Sequence, residues 1–172
     1  MADANGPSGT RTSWFIEAPR ETVYRAFTDP EALVVWRVPG EMTATIHEFD
    51  AREDGGYRMS LFYPASEPEA TGKTTAREDR FTARYVELTP PDRIVEAITF
   101  DSTDPTFAGE MTMVVTLEER EGGAVVTIAF EKLPPGIRPE DNEAGTQSAL
   151  EKLARYVDQP ADQSSRPFGI VR

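Results

Sequence analysis

The chain contains no cysteine, which excludes disulfides, thiolate nucleophiles, cysteine-ligated zinc and iron–sulfur clusters. It contains one histidine, His47, so any triad or imidazole base has a single candidate. A metal site would rest on carboxylates around that one ring. The densest acidic run, Glu118-Glu119 with Glu121 before Gly122-Gly123, reads as a hairpin turn rather than a ligand set, and no metal is expected. No apolar run is long enough to span a bilayer, and Met1 to Thr10 lacks the basic start and apolar middle of a signal peptide. The expectation is a soluble cytoplasmic protein. Positive charge is also scarce: 18 basic residues face 30 acidic ones, for a net charge of −12. The nearest basic cluster, Arg77, Arg80 and Arg84, is interleaved with Glu78 and Asp79, so nucleic acid is not an expected partner. Gly55-Gly56 stands without a Gly-x-Gly-x-x-Gly pattern or a Walker lysine, and a hairpin turn needing positive φ accounts for both glycines.

At 172 residues the chain fits one domain with a sizeable core. Residues 1–10 and 159–172 carry too few apolar side chains to offset the entropy of ordering them and read as tails around a domain spanning 11–158. Arg11 to Ile16 reads as a strand. Ala18-Pro19 opens a short helix carrying Val23, Tyr24, Ala26 and Phe27, and Asp29-Pro30-Glu31 caps a second that runs to Trp36 and stops before Pro39-Gly40. From Thr43 the period changes to two, with strands expected at Thr43–Asp50, Gly56–Tyr63, Arg80–Leu88, Arg93–Phe100, Glu110–Glu119 and Ala124–Leu133. Asp54-Gly55-Gly56, Thr89-Pro90-Pro91-Asp92 and Glu121-Gly122-Gly123 separate them, which favours an antiparallel meander. Ala65 to Thr75 is the longest polar gap and reads as a mobile loop. A helix opening at Pro139 and running to about Asp158 carries Leu150, Leu153, Ala154 and Val157 on one stripe, and at roughly 25 Å it is long enough to cross a seven-stranded sheet. The predicted architecture is α+β: a curved antiparallel sheet wrapped on a long C-terminal helix, with two short helices after the first strand, which is the helix-grip order.

Several stretches then resemble one family. Ala18-Pro19, Val23-Tyr24, Ala26-Phe27-Thr28-Asp29-Pro30, Trp36 and Pro39 look like the opening of bacterial domains similar to the activator of the ninety-kilodalton heat-shock chaperone ATPase, in the START-like (SRPBCC) superfamily. Asp50-Ala51-Arg52 ahead of Gly55-Gly56-Tyr57-Arg58, the Glu87 to Ile94 corner, and Gly145, Leu150 and Leu153-Ala154 agree with it. The resemblance covers about Arg11 to Asp158. It implies a helix-grip fold with a hydrophobic pocket between sheet and long helix, in a superfamily of lipid carriers, hormone receptors, polyketide cyclases and oxygenase subunits, so fold alone does not settle function. The chaperone role attaches to cochaperones with an additional N-terminal domain, whereas the resemblance here covers one domain. Many relatives carry Trp after the glycine near the start of the last helix. Thr146 stands there in this chain, which implies a pocket wider or more polar at that end.

The aromatic and methionine set, Trp36, Phe49, Tyr57, Met59, Leu61, Tyr63, Tyr85, Phe100, Met111 and Met113, either fills a solid core or lines a pocket for an apolar or aromatic molecule, and the resemblance favours the pocket. Gln147, Leu150 and Ala154 complete the expected lining from the last helix. The Gln147 amide either orients a ligand's polar end or is a solvated helix residue. Glu48, Glu87, Glu96, Glu110 and Glu131 lie on strands whose facing the sequence leaves open, and such residues mostly face solvent. No residue is assigned a catalytic role and no cofactor is required. The first functional expectation is binding of a hydrophobic or aromatic small molecule. The alternatives are a cyclase- or hydrolase-like enzyme in which His47, Gln147 or Arg58 orients a substrate, and a module that stimulates a chaperone ATPase.

Overall fold

The computed structural model describes residues 8–66, 72–74 and 77–158. Most of both expected tails, residues 1–7 and 159–172, lies outside the described residues, as do 67–71 and 75 of the expected mobile loop. The chain runs β1 (Ser8–Ile16), α1 (Arg20–Phe27), α2 (Pro30–Trp36), β2 (Thr43–Asp50), β3 (Gly56–Phe62), β4 (Glu78–Thr89), β5 (Arg93–Phe100), β6 (Glu110–Arg120), β7 (Gly123–Leu133) and α3 (Pro139–Val157). The strands form one antiparallel sheet in the order β1-β7-β6-β5-β4-β3-β2. Successive strands from β2 to β7 are neighbours, as short turns dictate, and β1 closes the far edge against β7. This is the helix-grip α+β architecture.

Strand ends differ from the expectation by one to three residues, and one short turn was not expected. β1 starts at Ser8 rather than Arg11, because β7 is long enough to pair it, with Ser8 opposite Leu133 and Thr10 opposite Phe130 across a bulge. A short 3-10 turn at Pro105–Phe107 lies between β5 and β6, with the Asp104 side chain accepting from the Thr106 N–H at 2.9 Å. It repeats the Asp-Pro device that opens α2, where Asp29 accepts from the Glu31 N–H at 3.0 Å. At Gly55-Gly56 the expected positive φ is present at Gly56, with φ of 153°, and absent at Gly55; the left-handed turn residue is Asp54, with φ of 69°. A Cβ on Gly55 would lie 2.5 Å from the Asp50 carbonyl oxygen, and one on Gly56 would lie 2.0 Å from that of Ala83, so close backbone approach excludes a side chain at both.

The two short helices set up the site. Trp36, at the end of α2, is fully buried, donates its indole N–H to the Ala26 carbonyl at 2.9 Å and packs edge-on against Phe27 with ring centroids 4.7 Å apart. Tyr85 on β4 donates its hydroxyl to the Phe27 carbonyl at 3.0 Å, anchoring the end of α1 to the sheet. With Trp36 fixed and Pro39 ending the helix, Arg37 is held at the corner of this elbow. α3, about 28 Å long, packs against β1, α1 and α2 and buries Thr146, Leu150 and Leu153. The Lys152 ammonium donates to the Val38 and Gly40 carbonyls and ties the elbow to α3. No helix among the described residues is long and apolar enough to cross a membrane.

Candidate functional site

Between the inner face of the sheet, the elbow and α3 lies a cavity of about 220 Å³. Its floor follows the period-two alternation: Leu61 of β3, Asp79 and Phe81 of β4, Ile98 and Phe100 of β5, Met111 and Met113 of β6, and Ile128 and Phe130 of β7. Trp36, Arg37 and Pro39 of the elbow form one wall, and Ile137, Asn142, Thr146 and Ala149 with their neighbours form the α3 side.

Of the residues expected to line a pocket, Trp36, Leu61, Phe100, Met111 and Met113 do so. Tyr57, Met59 and Tyr85 face inward but are buried beneath the wall, and Phe49 stacks on Tyr57 at 5.8 Å. Leu150 and Ala154 pack against the core nearer the end of α3. Tyr63 donates its hydroxyl to Asp79 at 3.0 Å. Gln147 is exposed, and the inward amide considered for it is not present; its neighbour Thr146 takes the buried position. The Thr146 hydroxyl donates to the Asn142 carbonyl at 2.8 Å, which commits its proton to the helix backbone.

The polar groups of the wall form two ion pairs. Glu96 points inward from β5 with its side chain fully buried, and Arg37 donates from Nη1 to its Oε1 at 3.1 Å and to its Oε2 at 3.5 Å. The Tyr57 hydroxyl donates to the same carboxylate at 3.0 and 3.2 Å, and Nη1 of Arg37 also donates to the Tyr57 oxygen. Arg37 lies 5.8 Å from the centroid of Tyr57 and 5.7 Å from that of Phe81, within cation–π range. Burial pulls the Arg37 pKa down, but the adjoining Glu96 charge, with Tyr57 and hydrogen bonding, outweighs it and raises the value above its usual range. Burial is the largest cause holding the Tyr57 phenol well above its usual value, so it stays neutral and donates. The second pair sits at the opposite wall. Asp79 accepts from the Lys73 backbone N–H at 2.6 Å and from its ammonium at 3.0 Å, while that ammonium lies 5.3 Å from the Phe100 centroid and 5.6 Å from that of Phe107.

Arg37 and Asp79 are not among the residues expected at the site, and Glu96 stood among carboxylates expected mostly to face solvent. A signal existed for two of them. Glu96 interrupts the apolar run Ile94-Val95-Glu96-Ala97-Ile98, and Arg37 stands alone between Trp36 and Val38. A charge inside an apolar run that is buried on both faces has no exposed side to turn to.

The residues named for the enzyme alternative lie elsewhere. His47 is exposed on β2, and its Nε2 lies 2.8 Å from Ser60 Oγ, on the face of β3 opposite Leu61. Ser60 donates to Glu78 Oε2 at 2.5 Å. With that proton committed, Nε2 is the donor toward Ser60 and cannot act as its base. This hydrogen bond is the largest cause holding the Glu78 carboxyl below its usual value. Arg58 lies 3.9 Å from Asp101 and is half exposed. His47→Ala is therefore expected to change stability by about 1 kcal/mol or less and to leave ligand affinity unaltered, as melting curves and titrations would show.

Fold and cavity together define a START-like helix-grip domain. A family model described as "Activator of Hsp90 ATPase homolog 1-like protein" matches residues 17–158, and the chain belongs to that family. A crystal structure of a Chromobacterium violaceum protein is 34% identical with a TM-score of 0.79, covering 88% of this chain and 98% of the other. A solution structure of an AHSA1-like protein from Aeromonas hydrophila is 19% identical with a TM-score of 0.66, covering 88% and 92%. One from Staphylococcus epidermidis is 20% identical with a TM-score of 0.69, covering 92% and 94%. The latter two show the shared fold. No curated protein matches the chain.

Proposed function

We propose that the protein binds a compact hydrophobic or aromatic molecule in the cavity between sheet, elbow and α3, as a carrier or sensor. The observation that carries this reading is a partly open pocket of about 220 Å³ between sheet, elbow and α3, lined mainly by rings and thioethers and bordered by Arg37. Small-molecule sites are concave and mostly apolar with a few placed polar groups, and this lining has that composition. A cavity of roughly 150 Å³ accommodates one benzene, and drug-sized ligands occupy roughly 300–1,000 Å³. A substituted single ring or a small fused ring fits; a lipid with a full acyl chain does not. Both ion pairs bordering the cavity are internally compensated and the remaining carboxylate of the lining, Asp141, is exposed to solvent, which supports binding over acid–base catalysis, because no buried carboxylate is free to exchange a proton with a substrate.

Native mass spectrometry before and after denaturation should detect a small apolar passenger, or thermal-shift screening should find ring-sized compounds that stabilise the protein. A compound at about 100 times its Kd adds ~2.7 kcal/mol, which corresponds to a rise of about 5–11 °C in Tm for a domain of this size. Absence of both results would remove the reading. The family description favours a second reading, modulation of a chaperone ATPase. Its test is stimulation of that ATPase by this chain with the cavity blocked.

A further inference from the structure

We infer, building on the small-molecule reading above, that the ligand is a neutral ring compound whose polar atom is an acceptor oxygen of carbonyl type, seated on Nη2 of Arg37. The hydrogen-bond inventory of the wall carries this. Among the described residues, every strong bond of the Arg37 guanidinium leaves from Nη1, and Nη2 reaches only the thioether sulfur of Met113, at 3.5 Å. Sulfur is a weak acceptor, so a charged donor bordering the cavity lacks an oxygen partner. A second donor is in the same condition. Asn142 accepts from the Thr10 hydroxyl through Oδ1, which fixes its NH2 on the other side, where it has no protein partner among the described residues. The buried carboxylates, in contrast, are occupied: both oxygens of Glu96 take Arg37 and Tyr57, and both oxygens of Asp79 take Lys73 or Tyr63. Asp141, the other carboxylate of the lining, is exposed to solvent. What the buried charged groups have to offer a ligand is N–H.

Charge decides which oxygen. Arg37 is neutralised by Glu96 and Lys73 by Asp79, so a carboxylate ligand beside them would be an uncompensated anion among apolar groups, and an ammonium ligand beside them would have to displace Lys73 from Asp79; pairing with the exposed Asp141 instead would be a surface ion pair, which is worth little. A carbonyl accepts from Nη2 without adding charge, and bonds to a charged donor are the stronger kind.

The test uses four probes of similar size, namely acetophenone, ethylbenzene, benzoate and benzylammonium, titrated into the full-length protein and followed through its methionine methyl signals. Acetophenone is expected to bind more tightly than benzoate and benzylammonium and to shift the Met111 and Met113 methyls, which line the cavity, more than that of fully buried Met59. The carbonyl carbon of 13C-labelled acetophenone should move downfield on binding, toward the value of a hydrogen-bonded ketone. In Arg37→Met/Glu96→Gln, which removes both charges together, the acetophenone-to-ethylbenzene affinity ratio should fall by about tenfold or more. A bound carbonyl carbon resonating as in a hydrocarbon solvent, an unchanged ratio, or preference for either ion overturns the inference while leaving the cavity reading in place. Failure of all four probes to bind removes both.

Discussion

Arg37→Met alone is expected to destabilise the fold by about 3–5 kcal/mol, because it leaves the Glu96 carboxylate charged, fully buried and without its cation. For a domain of this size that is a fall of roughly 6–20 °C in Tm. The neutral Tyr57 phenol still donates to Glu96, but one hydrogen bond does not replace a guanidinium. One further measurement separates this cause from lost packing. Adding Glu96→Gln should recover most of the deficit, since a buried pair replaced by uncharged groups of similar volume is often close to neutral. A single variant as stable as the native protein would show that Glu96 is relieved by some other group, and the account of the wall given above would be wrong.

The helices and the strands were legible for local reasons. Asp29-Pro30 and Pro139 announce helix starts, Pro39 and the Pro134-Pro135 pair announce ends, and the alternation of Met111, Met113, Val115 and Leu117 shows which side of β6 faces inward. The neighbour of β1 was not legible, since its pairing with β7 joins the first and last strands of the chain and depends on tertiary assembly rather than on any local pattern. The site was legible in part for a related reason. Apolar residues at period two declare the inner face, so Leu61, Phe100, Met111 and Met113 could be read from spacing. Polar residues on that face look the same in sequence as solvated ones, because only their partners distinguish them. Glu96 is inside because Arg37 reaches it from a different element, and Asp79 is inside because Lys73 and Tyr63 do. Gln147 shows the opposite case: on α3 one position separates the buried Thr146 from the exposed amide, and helical spacing alone does not fix the rotation that finely.

Thr146→Trp is expected to abolish ligand binding, lowering affinity by on the order of a hundredfold or more, while leaving the fold intact. Thr146 lines the cavity from α3 and is 8% exposed. An indole is larger than the benzene that roughly 150 Å³ accommodates, so it would take up most of the 220 Å³ available. Thr146 borders the cavity directly, so a ring there has space to enter without rebuilding α3. The ring would enter empty space rather than a filled core, and the usual overpacking cost of about 1–3 kcal/mol should be offset by the apolar surface it buries. Melting temperature close to the native value, together with loss of every thermal-shift ligand and of any co-purified passenger, is the expected pair of results. Retained affinity in a folded variant would mean that ligands bind somewhere other than this cavity. The same variant separates the two functional readings: if the chain acts on a chaperone ATPase through its surface, Thr146→Trp should stimulate as well as the native protein, because no surface feature has changed. If the activity follows the cavity, stimulation and ligand binding should disappear together.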